Sequence, residues 1–108
     1  MSLLRWFSRE KESLPERLDN YDAALAWIQK TKDVETAVNI FRVLTQTAME
    51  AQNCDFIEGV RIAQSNIEFV LADNFLSNKS RKMWTRLIEE TKTPEFQRKL
   101  GERLKIER

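Results

Sequence analysis

Apolar residues recur along this chain at spacings of three and four, the period of a helix with one buried face. Leu18, Tyr21, Leu25 and Ile28, joined by Ala24, predict a helix over about 16–30. Ser13, Pro15 and Glu16 supply its start, a hydroxyl cap, a proline tolerated in the first turn and an acid completing a capping box. Asp33 is a second N-cap, ahead of a run in which Ala37, Ile40, Phe41, Leu44 and Ala48 share a face to roughly residue 52. Asp55-Phe56-Ile57-Glu58 repeats the cap logic. Beyond it Ile57, Val60, Ala63, Ile67, Val70 and Leu71 form a broad stripe, widened by Ile62 and Phe69, and that width predicts the central, most buried helix.

Residues 73–80 are rich in side chains that bond the backbone locally, so the helical pattern is expected to break there. Met83, Trp84, Leu87 and Ile88 then mark a shorter amphipathic helix ending near Thr91. Thr93-Pro94-Glu95 is the clearest start signal in the chain, and Phe96, Leu100 and Leu104 give the inward face of a last helix. Residues 1–11 can be wound into a short helix with Leu3, Leu4 and Phe7 on one side. With two Gly and two Pro in 108 residues, there is little of the turn chemistry that many short strands demand. The expectation is an all-α fold: a single compact irregular helical bundle of about four to six helices with short loops. It forms one domain over residues 1–108, with 1–12 as an amphipathic N-terminal arm.

Candidate chemistry narrows the picture mainly by what is missing. The chain has no His, the side chain that most often serves as acid, base or transition-metal ligand near neutral pH. Cys54 stands alone, so it has no disulfide partner within the chain and no neighbouring base to activate it. Adjacent acids such as Glu89-Glu90 diverge on a helix, and Gly59 and Gly101 are isolated within predicted helices, so no phosphate loop forms. No catalytic residue, cofactor site or metal site is expected, and the chain is read as non-enzymatic. A single cysteine and the absence of a long apolar segment predict a cytoplasmic protein. Over one turn, Asp55, Phe56 and Gly59 resemble the start of the second helix of a tetratricopeptide repeat. The preceding helix lacks that family's large aromatic, small residue and tyrosine, and no second copy follows, so the segment is read as an ordinary helical hairpin.

Charge changes the picture more. Lys and Arg (18) nearly cancel Asp and Glu (17) overall, yet residues 1–78 hold 8 basic and 12 acidic side chains and residues 79–108 hold 10 and 5. An acidic partner is therefore expected for the C-terminal third, at a patch of Lys79, Arg81, Lys82, Arg86, Lys92, Arg98, Lys99, Arg103 and Lys105. The leading expectation is a protein-binding module, an adaptor, regulator or assembly factor, whose partner is another protein or a second copy of itself. Leu3, Leu4, Trp6 and Phe7 of the arm, and Trp27 one step off its apolar stripe, are the candidate partner-binding residues. The alternative is nucleic-acid binding through the helices of residues 79–105. Those helices have the size of a helix-turn-helix, with Gln97, Arg98 and Arg103 facing outward on the second. At lower weight, the arm beside Arg5, Arg9 and Lys11 suits weak contact with a membrane surface.

Overall fold

Side-chain oxygens decide where the helices begin. Asp33 accepts from the Thr36 amide at 3.0 Å, Asp55 from the Glu58 amide at 3.0 Å, Ser77 from the Ser80 amide at 3.2 Å and Thr93 from the Phe96 amide at 3.2 Å. Each satisfies an amide that finds no carbonyl partner in a helix's first turn. In the computed structural model, which describes residues 17–18, 21–72 and 76–104, these caps open four of five helices. The elements are α1 (Tyr21–Lys30), α2 (Val34–Gln52), α3 (Phe56–Leu71), α4 (Asn78–Thr91) and α5 (Pro94–Leu104), with no strand among the described residues. The Cα radius of gyration is 13.4 Å, close to the ~13 Å of a compact chain of about 100 residues. The protein is an all-α bundle, as the periodicity predicts.

Two boundaries differ from the sequence expectation. Arg17 and Leu18 lie outside any helix, so α1 does not extend back to residue 16 through them. Leu18 is nevertheless buried, because its amide donates to Thr47 Oγ1 at 3.1 Å and Arg17 pairs with Glu50, tying this stretch onto α2. A tertiary contact, and not helical spacing, accounts for that apolar position. At the other boundary, the polar run expected to remain irregular through residue 80 already turns helical at Asn78, capped by Ser77. Its polarity reflects an exposed first turn rather than a loop.

The α2–α3 hairpin is the frame on which the rest packs. Asn53 adopts a left-handed conformation (φ 52°) and the Cys54 amide reaches back to the Met49 carbonyl at 3.1 Å, which reverses the chain. Gly59 then lets α3 press against α2: a Cβ there would lie 2.6 Å from Met49 Cγ and 3.1 Å from the Thr45 carbonyl oxygen. The most buried helix is α2, not α3 as the stripe width predicts. It packs against each of the other four helices and buries Ala37, Ile40, Phe41, Val43, Leu44 and Ala48. In α3, Ile57 and Phe69 turn outward, with Phe69 63% exposed, and the inward line is Val60, Ala63, Ile67 and Val70.

Trp84 of α4 closes the core. It is fully buried, and its indole N–H donates to the Ile28 carbonyl at 3.2 Å, the last turn of α1. One turn earlier, Ser80 Oγ donates to the Thr31 carbonyl at 3.3 Å. Phe96 brings α5 onto α2 through an edge-to-face contact with Phe41, ring centroids 5.9 Å apart. Replacing Trp84 with Ala is expected to cost about 3–5 kcal/mol. Trp84→Phe should cost about half as much, since it keeps most of the volume but leaves the Ile28 carbonyl without its donor. Urea denaturation of the three proteins checks the order.

Candidate functional site

The cations of residues 79–104 do not form one continuous patch, because the fold assigns several of them elsewhere. Arg81 is half-buried and its guanidinium bonds the Leu71 carbonyl at the end of α3, where a positive charge meets the negative end of the helix dipole. Lys92 bridges Glu68 of α3 at 3.8 Å and Glu89 of α4 at 3.7 Å. On α5, Arg98 pairs with Glu102 at 3.3 Å and Lys99 with Glu95 at 3.7 Å, both across one helical turn. Gln97 does not face outward as the helix-turn-helix alternative requires. It is half-buried and donates to the Thr91 carbonyl at 2.9 Å, securing the α4–α5 turn. Arg98 and Lys99 are thus met by acids of α5 itself.

What remains is a stripe on α4. Lys79, Lys82 and Arg86 are exposed and have no ion-pair partner among the described residues. At 3.6 residues per turn the three fall within an arc of about 60° and span about 10 Å of helix axis. They lie opposite Ser80, Trp84, Leu87 and Thr91, the buried side of α4, so they point straight out from the bundle. A surface of this kind presents positive charge at full strength, where the paired residues of α5 present nearly none. Its chemistry suits anionic groups spaced along a line.

A second cationic contact was not singled out from sequence. Arg42 of α2 is half-buried, and burial together with the positive charge of Arg103 on α5 holds its guanidinium below the ordinary arginine range while leaving it charged. Arg103 is exposed, and neither arginine has an acid partner among the described residues. The available signal was that Arg42 is the one charged residue between Glu35 and Glu50, inside an otherwise apolar and neutral run.

Trp27 lies half-buried against the core. Its ring is covered on one side by Lys30, whose ammonium sits 4.2 Å from the ring centroid, and its carbonyl accepts from Thr31 Oγ1 at 2.7 Å. Leu3, Leu4, Trp6 and Phe7 of the arm, and Lys105, lie outside the described residues. Cys54 is half-buried, with its thiol 3.7 Å from the Ala48 carbonyl. Among the described residues no three His, Cys, Asp or Glu side chains are grouped so as to hold a metal ion, and no helix is long and apolar enough to cross a membrane. Comparison of the chain with protein-family models, with curated proteins and with solved structures finds no match in any of the three.

This division of the cations makes a stability prediction. Arg81→Ala should destabilise the protein by about 1–2 kcal/mol, because it removes a charge-assisted bond from the end of α3. Lys82→Ala, on the exposed stripe, should stay within about 0.5 kcal/mol of the parent. Chemical denaturation of both variants tests whether the two neighbours in sequence do different jobs.

Proposed function

We propose that this protein works by binding rather than by catalysis, as a helical module that takes an acidic segment of another protein on the outward face of α4. The observation that carries the reading is the stripe of Lys79, Lys82 and Arg86, exposed and without ion-pair partners among the described residues while its neighbours in sequence are paired. Exposed pairs contribute only about 0.2–1 kcal/mol each, so pairing is no barrier to exchange, but unpaired cations offer an incoming carboxylate its full Coulomb attraction. Nucleic acid would use the same charges. Against it stands the inward Gln97, which is bonded to the Thr91 carbonyl and so is withdrawn from the face that the second helix of the pair would use for reading bases.

An adaptor, regulator or assembly factor in the cytoplasm is the role that fits such a module. The tagged full chain and its Lys79→Glu/Lys82→Glu/Arg86→Glu variant, each used for capture from a lysate of the source with and without nuclease, test it. The expected outcome is one protein retained in near-stoichiometric amount after nuclease, with retention by the variant lower by roughly tenfold or more. Retention that vanishes with nuclease would replace the reading with nucleic-acid binding. A partner held equally by the variant would move the docking face away from α4, and capture of a second copy alone would make the module a self-associating one.

A further inference from the structure

The direction in which α4 carries its charges runs against its own dipole. A helix presents partial positive charge at its N-terminus and partial negative charge at its C-terminus, so acids belong in the first turn and bases in the last. α1 follows this with Asp22 and Lys30, and α5 with Glu95 and Arg103. α2 and α3 place Glu35 and Glu58 in their first turns. α4 has no acid in its first turn and no base in its last. Lys79 and Arg81 occupy the first turn, Lys82 follows directly, and Glu89 and Glu90 occupy the last. The Arg81 charge is accounted for by the end of α3, to which it is bonded, and Glu89 is met by Lys92. Nothing in the folded chain accounts for Lys79 and Lys82 in the same way among the described residues.

The packing of α4 makes this placement consequential. Ser80 and Trp84, on the buried side of the same two turns, hold the end of α1 through the Thr31 and Ile28 carbonyls. Gln64 of α3 donates to Thr91 Oγ1 at 3.0 Å at the far end. The first two turns of α4 are therefore both the part its own charges weaken and the part that anchors another helix. Departures from local stability rules concentrate at functional or strained sites.

We infer that α4 sacrifices intrinsic helix stability for anion capture, so that docking of an acidic segment on Lys79, Lys82 and Arg86 reinforces α4 and, through Ser80 and Trp84, the seating of α1. This rests on the proposed function, since it takes the α4 stripe as the docking face. The bound carboxylates supply the negative charge near the N-terminus that the helix itself lacks. Stability and affinity consequently respond to the same substitution with opposite signs. Lys79→Glu gives α4 the acid its first turn is missing and removes a docking charge.

The test uses the full chain, a fluorescent oligoglutamate of about twenty residues as the acidic probe, and a single-stranded oligonucleotide of similar length as the nucleic-acid probe. Thermal unfolding without probe and anisotropy titration at low salt are measured for the parent, Lys79→Gln and Lys79→Glu. The midpoint should rise by roughly 3–6 °C in Lys79→Glu and by about half of that in Lys79→Gln. Oligoglutamate affinity should fall in the same order, by roughly fivefold or more in Lys79→Glu. In the parent, oligoglutamate should slow amide exchange in α4 and at residues 28–31 more than in α2. A midpoint that stays level or falls in Lys79→Glu while oligoglutamate binding is lost would overturn the coupling and leave the docking face intact. A parent that fails to bind oligoglutamate, or binds the oligonucleotide more tightly, would overturn the proposed function and this inference with it.

Discussion

Trp84 is the side chain on which the arrangement of this bundle turns. Its indole is too large to bury unless several helices converge on it, and its N–H must find an acceptor once water is excluded. The Ile28 carbonyl answers the second demand only because α1 ends against α4, and the Ser80 bond to Thr31 fixes the same junction one turn away. Apolar burial alone would allow α1 to slide along its neighbours. The two polar contacts select one register, and with it the direction in which the outer face of α4 points.

Much of the fold was legible because helix starts are local events. Asp33, Asp55 and Thr93 each cap a helix with an oxygen three residues from the amide it satisfies, so the signal lies within four letters of sequence. Ser77 does the same, but its cap opens onto Asn78, Lys79 and Ser80, a first turn polar enough to resemble a loop. Leu18 misled in the opposite sense, since it keeps helical spacing with Tyr21 and Leu25 yet enters the core from outside the helix, by a contact with Thr47 that is remote in sequence. The outward turn of Ile57 and Phe69 is likewise a tertiary fact, set by which neighbours α3 has.

The candidate surface was legible in content and not in arrangement. Counting charges located an excess of cations after residue 78, and that excess is real. Which of them remain available depends on partners outside their own helical turn: the Leu71 carbonyl for Arg81 and Glu68 for Lys92. The pairs one turn apart, Arg98–Glu102, Lys99–Glu95 and Lys92–Glu89, were within reach of helical spacing. Subtracting these assignments leaves Lys79, Lys82 and Arg86 in one short line on α4, with Arg103 apart from them on α5.

Gly59 bears on how a perturbation could travel through such a molecule. Without a side chain at that point, α2 and α3 lie so close that neither can rotate or slip past the other without a collision at Met49 or Thr45. The hairpin therefore sets a fixed base, and the side chains that the other three helices bury against it, Ile28, Trp84 and Leu100 among them, inherit their positions from the closeness of that one crossing.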